Sequence, residues 1–284
     1  INYITGGGGA VGNTLVDFPA VRAVSFTGSC EVGNNLYDRV VKRKLRVQLE
    51  MGGKNPTIVL KDSDLNYAAD VLVNGAFFST GQKCTACSRA IIEKSIYDQL
   101  VEILVAKTKK MKVGNGLEPG IDMGPAVDQG QLDTDLMYID IAKKEGAKLL
   151  CGGNRLTGGI YDKGYFVEPT LFGDVKTEMR IAQEEVFGPV LALMVANDFD
   201  DAMRLANSAR FGLSASIVTR DVTRIHQYIN RIDAGLITVN LPTAGVEYQL
   251  PFGGTKESSF GMREQGPAAL DFYTESRTVY MKYT

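Results

Sequence analysis

Short apolar runs alternate with longer stretches of helical period along most of this chain. T-I-V-L at 57–60 precedes a helical pattern over 64–78, and R-A-I-I at 89–92 precedes one over 95–111. Further on, V-L-A-L-M-V at 190–195 leads into a helix over 198–206, S-A-S-I-V-T at 214–219 leads into one over 221–232, and G-L-I-T-V-N at 235–240 runs into a loop. Apolar strand-like runs, most of them followed by a helix, predict an α/β fold on a mainly parallel sheet flanked by helices. Asp62 and Ser63 stand where they would cap the first helix, and Lys109, Lys110 and Lys112 gather where cations suit the C-terminal dipole of the second. The turn-rich stretch 114–130 reads as an ordered surface loop. Nearer the start, A-V-S-F at 23–26 predicts a strand before a helix, and I-N-Y-I at 1–4 predicts a buried strand passing into a glycine-rich turn.

Composition narrows the function classes. With 284 residues, 44% hydrophobic and 23% charged, the chain buries a substantial core as one large domain or two small ones. A net charge of -2 without any long basic run gives no phosphate-binding footprint, so nucleic acid is not an expected partner. No apolar run reaches the ~18–20 residues that span a bilayer, and the first residues lack the regions of a signal peptide. A cytoplasmic location without membrane association is the expectation. Four cysteines (Cys30, Cys84, Cys87, Cys151) are too few for a disulfide framework and predict reduced thiols. The solitary histidine, His226, leaves no multi-histidine zinc centre to build, and its helical surroundings give it a structural or surface role. Proton transfer then falls to carboxylates, thiols, lysines or water.

Two segments carry candidate chemistry. F-F-S-T-G-Q-K-C over residues 77–84 ends on Cys84, and L-E-M-G-G-K-N-P over residues 49–56 sets Glu50 before Gly52 and Gly53. A thiol nucleophile and a carboxylate base are what thioester chemistry requires: the thiol attacks a carbonyl, and the carboxylate deprotonates the water that releases the acyl group. Taken alone, a cysteine in such a setting is more often a small hydrophobe. Cys84 and Cys87 also form a C-x-x-C that suits a redox pair or half a metal site, against which stands the lack of a second such pair.

Position by position, these two segments resemble the active-site signatures of the aldehyde dehydrogenase superfamily, and the likeness covers residues 1–284. It implies oxidation of an aldehyde to a carboxylic acid with NAD or NADP, Cys84 forming a thiohemiacetal and then a thioester, and Glu50 activating the hydrolytic water. The base also argues against the branch that hands the thioester to coenzyme A. F-T-G-S-C-E-V-G at 26–33 resembles the pyrophosphate-contacting turn, with Gly28 and Ser29 facing phosphates from a helix start and Gly33 allowing tight packing. I-A-Q-E-E-V-F-G-P at 181–189 implies that Glu185 bonds the nicotinamide ribose and that Phe187 packs on the nicotinamide side. L-P-F-G-G-T-K at 250–256 places Phe252 on a substrate tunnel, S-F-G-M-R-E at 259–264 completes the likeness, and Asn240 is read as structural.

The resemblance further implies residues 1–52 as the end of a Rossmann-like dinucleotide-binding domain, 53–258 as the catalytic domain, 259–274 as a helical return and 275–284 as an oligomerisation strand of a homodimer or homotetramer. Family members carry further residues upstream, including an oxyanion-stabilising asparagine that Asn55 does not replace. The chain is therefore expected to be a C-terminal portion with little or no activity alone. The loop at 240–251 resembles that of enzymes oxidising 2-oxoglutarate semialdehyde. Two other readings remain: a non-catalytic assembly fragment, and a thiol redox protein using Cys84 and Cys87.

Overall fold

The structure, a computed structural model, describes residues 1–284. The chain runs through α1 (Asn13–Asp17), β1 (Ala23–Thr27), α2 (Cys30–Val41) and β2 (Arg46–Glu50). It continues through β3 (Asn55–Val59), α3 (Leu65–Phe77), β4 (Cys87–Glu93), α4 (Tyr97–Lys110), α5 (Gln129–Lys144), β5 (Lys148–Cys151) and β6 (Thr170–Gly173). Next come α6 (Arg180–Gln183), β7 (Val190–Ala196), α7 (Phe199–Ala206), β8 (Phe211–Gly212), β9 (Ser214–Val218), α8 (Val222–Arg231) and β10 (Leu236–Val239). The short β11 (Thr255–Lys256) and β12 (Ser259–Phe260) precede α9 (Gly266–Tyr273). Two compact units emerge: residues 1–51, 246–253 and 259–284 form one, and 52–245 with 254–258 form the other.

The larger unit is built on a sheet in the order β10-β9-β3-β4-β7-β6-β5. All its pairs are parallel except β5 with β6. Successive residues of a strand point to opposite faces, and each face here has its own core. Ile58, Ile91, Ala192, Met194 and Ile217 join one cluster, while their chain neighbours Val59, Ile92, Leu191, Leu193 and Val218 join the other. Helices cover both, so β3 and β9 are buried from end to end. That two-sided burial is why both strands end on consecutive apolar residues, Ile58–Val59 and Ile217–Val218.

Aspartates start four of the helices of this unit. Asp64 accepts from the backbone N–H groups of Asn66 and Tyr67, and Asp128, Asp198 and Asp221 cap α5, α7 and α8 in the same way. The cap of α3 is thus Asp64, and not Asp62 or Ser63. Asp62 instead accepts from Thr219 Oγ1 (2.8 Å) and the Arg220 N–H (2.7 Å), and Ser63 donates to the Val218 carbonyl (2.7 Å). Both are drawn to the end of β9, whose terminal backbone groups need partners. Stretch 114–130 is pinned by bridges from Val113 to Met123 and from Ala126 to Tyr165.

The smaller unit holds the sheet β1-β2-β12, β1 and β2 parallel across the crossover helix α2 and β12 antiparallel to β2. Residues 1–4 form no strand and are exposed. Their apolar run is left without a ladder partner, and an extended segment with neither partner nor covering face has nothing to hold it as a strand. Residues 274–284 likewise carry no ladder, and Tyr280 is 94% exposed.

Candidate active site

In the larger unit, α3 ends at Phe77 and the chain turns through Ser79 (φ 58°), Thr80 (φ 59°) and Gly81 (φ 65°), three successive left-handed residues. Such backbone is strained for residues with a Cβ and persists only where neighbours hold it. Thr80 Oγ1 donates to the Gly124 carbonyl (3.2 Å), and the Gln82 amide donates to the Pro125 carbonyl (3.4 Å) while accepting from the Val127 N–H (2.9 Å). At Gly81 a Cβ would fall 2.3 Å from the Gly188 carbonyl oxygen, so only glycine fits. The glutamine and glycine before Cys84 are therefore anchors of the turn that presents the thiol.

Cys84 is half-buried. The buried Asn55 side chain donates to the Cys84 carbonyl and to the Ala86 carbonyl, each at 2.8 Å, and accepts from the Ser214 N–H at 3.0 Å. Thr243 Oγ1 donates to the Thr85 carbonyl (2.7 Å), and a Cβ on Gly53 would meet the Cys84 carbonyl at 2.7 Å. Asn55, Thr243 and Gly53 thus clamp the backbone around the thiol. Thr243 had no sequence signal, since a buried threonine in a loop looks like any other. Cys87 lies 3.2 Å from Thr57 Oγ1, is sealed inside β4, and burial pushes its thiol up to about 11. A buried, protonated thiol is packing and not a redox partner.

The paired glutamates after α6 separate. Glu184 takes a forked pair of bonds from Arg180 and one from Tyr138 Oη (2.7 Å). Glu185 turns to the glycine pair: the Gly53 N–H donates to its Oε1 at 3.0 Å, and a Cβ on Gly52 would lie 2.2 Å from its Oε2. Burial raises the Glu185 pKa while the Gly53 N–H works against that. Phe187 is left-handed (φ 59°) and 39% exposed. Two buried cations went unremarked in the sequence. Arg89 is fully buried with its guanidinium on the carbonyls of Lys54, Leu205 and Ala206, the last two at the C-terminal end of α7. Lys54 is 2% exposed, and its Nζ has no hydrogen-bond partner. Asn240 is clasped to Thr219 through both ends of its amide, and His226 is exposed on α8.

The smaller unit carries Glu50 at the end of β2, 2% exposed. Ser259 Oγ donates to its Oε2 at 2.5 Å. Burial pushes the carboxyl up to about 7, with Glu264 adding to the rise and Ser259 and Arg263 opposing it. Gly253 (φ 149°) is enclosed by this group: a Cβ would lie 2.7 Å from Glu50 Oε1 and 2.6 Å from the Arg263 guanidinium. Ser259, Arg263 and Glu264 stood in a motif quoted without roles, and the fold gathers them at the carboxylate. Phe252 is buried, with its backbone paired to Glu264 by bonds of 2.7 and 2.8 Å.

The same unit offers the features of a dinucleotide site. The Gly28 N–H donates to the Glu50 carbonyl (3.0 Å), and the following Ser29 caps α2 by accepting from the Val32 N–H (3.3 Å). Helix starts attract anions through unbonded N–H groups and the dipole, and α2 begins directly after the β1 turn. Gly33 packs on Met51, whose sulfur a Cβ would meet at 2.4 Å. Beside them an apolar groove of about 720 Å³ is lined by Gly8, Gly9, Val24, Phe26, Val32 and Leu36. Within this unit, the groove and the helix start suit the apolar and anionic parts of a dinucleotide.

The sequence pattern of the "Aldehyde dehydrogenase family" matches residues 1–279. The alpha-ketoglutaric semialdehyde dehydrogenase of Bacillus subtilis (strain 168) is 49% identical over 99% of this chain and 58% of its own length. The 2,5-dioxopentanoate dehydrogenase of Saccharolobus solfataricus is 48% identical, again over 99% and 58%. A crystal structure of betaine aldehyde dehydrogenase from Staphylococcus aureus in complex with NAD+ superposes with a TM-score of 0.92 at 34% identity, covering 95% of this chain and 53% of that one. The chain thus spans little more than half the length of the relatives it matches. No helix is long and apolar enough to cross a membrane. The chain belongs to the aldehyde dehydrogenase family.

Proposed function

We propose that the protein carrying this chain oxidises an aldehyde to a carboxylic acid with a nicotinamide cofactor, Cys84 serving as nucleophile and Glu50 as general base. The Cys84 thiolate adds to the aldehyde carbon, forming a C–S bond. A bound oxidised nicotinamide would supply the acceptor for the hydride and its electron pair, and Cys84 then carries the acyl group as a thioester. Glu50 takes a proton from water, the resulting hydroxide adds to the thioester carbon, the C–S bond breaks, and the acid departs as the thiolate is restored. A general base works best with a pKa near the operating pH. The observation that carries this reading is the buried Glu50 carboxyl, poised at about 7 by its surroundings.

Glu185 is assigned to the ribose hydroxyls of NAD or NADP, Phe187 to the nicotinamide side, and Gly28 and Ser29 at the α2 start to the pyrophosphate, with Gly33 letting that helix sit close. Phe252 is assigned to the apolar wall of the substrate passage. Alpha-ketoglutaric semialdehyde, on which the Bacillus subtilis relative is named as acting, is the proposed substrate. A reduced catalytic thiol fits a cytoplasmic setting. The exposed apolar tail, with Val279, Tyr280, Met281 and Tyr283 each at least 70% exposed, favours a homodimer or homotetramer.

The test is Cys84→Ser in the protein carrying this chain. Turnover of the semialdehyde with NAD should fall by at least ~10³-fold while the melting temperature stays within a few degrees, since a hydroxyl at a half-buried position is a small structural change. Retained turnover would remove Cys84 from the reaction.

A further inference from the structure

Lys54 sits between two residues that hold the site together. The Gly53 N–H before it fixes Glu185 Oε1 at 3.0 Å, and the Asn55 amide after it fixes the Cys84 carbonyl at 2.8 Å. Its own ammonium is enclosed, 2% exposed, with no hydrogen-bond partner on Nζ. A buried charge in this state is costly unless an opposite charge lies near it.

The groups that face Lys54 narrow that partner to one. From β4, the Arg89 guanidinium is of like charge and is spent on carbonyls, and the Cys87 thiol is held protonated. Asp233, which shares with Lys54 the wall of a cavity of about 10 Å³, is paired with Lys256 at 3.4 Å. Glu184 is bound to Arg180 and Tyr138. Glu185 remains, accepting a hydrogen bond from the Gly53 N–H. Its charge favours the protonated amine, and the amine in turn lowers the Glu185 pKa. Burial meanwhile pulls Lys54 down to about 7. Transfer of a proton from Glu185 to Lys54 changes no net charge, so the pair can become ionic when a ligand rewards the carboxylate form.

We propose that Lys54 is a positioning residue, the buried counter-charge that holds the Glu185 carboxylate ionised to accept hydrogen bonds from a ligand diol. The inference rests on the assignment of Glu185 to the nicotinamide ribose. An ionised carboxylate accepts from both hydroxyls of a vicinal diol, whereas a protonated one has a donor where an acceptor is needed.

The experiment is calorimetric titration of the protein carrying this chain with NAD+ and, separately, with ADP, which lacks the nicotinamide ribose. Lys54→Met, an apolar side chain of similar length, should weaken NAD+ about tenfold and leave ADP unchanged. Adding it to Glu185→Gln should weaken NAD+ no further than Glu185→Gln does alone. Unchanged NAD+ affinity in Lys54→Met beside a weakened Glu185→Gln would overturn the proposal, as would equal loss for NAD+ and ADP. Unchanged affinity in Glu185→Gln itself would instead sink the ribose assignment on which it stands. Should Lys54→Met fail to fold, the coupling is read from Glu185→Gln alone. Its loss in melting temperature should be larger at about pH 6 than at about pH 8.5, since the uncompensated lysine costs more as it must charge. An equal loss at both would count against the pair.

Discussion

Glu50 has two consequences of opposite sign. Its folded pKa of about 7 lies above the ordinary 4.5, so the folded state binds a proton that the unfolded state has released. The stability from this group is fully present below 4.5 and is lost as pH rises through about 7. The base, however, works only when ionised, so deacylation should gain speed over the upper part of the same window. A pH profile of kcat under conditions where thioester hydrolysis limits turnover should show a limb near 7. Glu50→Gln should abolish that limb and be relatively more stable than the parent at about pH 8. A limb that survives in Glu50→Gln would assign the titration elsewhere. The carboxylate itself was legible in its glycine-rich string, because that string is specific. Its tuning was not: Ser259, Arg263 and Glu264 lie more than two hundred residues away, brought in when β12 pairs with β2. Asn55 shows the same limit, since which backbone its amide clamps is settled only by folding.

At the scale of elements, the turn before Cys84 depends on one glycine. Gly81→Ala places a Cβ 2.3 Å from the Gly188 carbonyl oxygen in left-handed backbone. It should cost about 2–4 kcal/mol in urea unfolding. Gly116, with nothing within 4 Å, is the control: Gly116→Ala should stay within about 0.5 kcal/mol. Equal effects at the two positions would show that the turn is not held as described. Strands of the larger unit were readable where burial on both faces leaves an apolar run, as at β7 and in the second halves of β3 and β9. Caps were less so. Asp62, Ser63 and Asp64 can each accept a cap hydrogen bond, and the end of β9, which claims the first two, leaves Asp64 for the helix. The apolar run at 1–4 misled because pattern alone does not reveal whether a ladder partner is at hand.

For the molecule as a whole, the chain carries the proposed nucleophile, the proposed base and part of a cofactor site while spanning 58% of the semialdehyde dehydrogenase relatives. Chemistry was more legible than substrate for a physical reason. The reacting groups sit in strings held by close contacts at Gly53, Asn55, Gly81 and Gln82, whereas loop 240–251 leaves Leu241, Tyr248 and Leu250 exposed. The central claim is that Cys84 carries the acyl group and Glu50 releases it. It is tested most directly by mixing Glu50→Gln protein with the semialdehyde and NAD+, then measuring intact and peptide masses. The account predicts one acyl group per chain accumulating on the Cys84 peptide. Undiminished turnover without an adduct, or the acyl group on another residue, would contradict it.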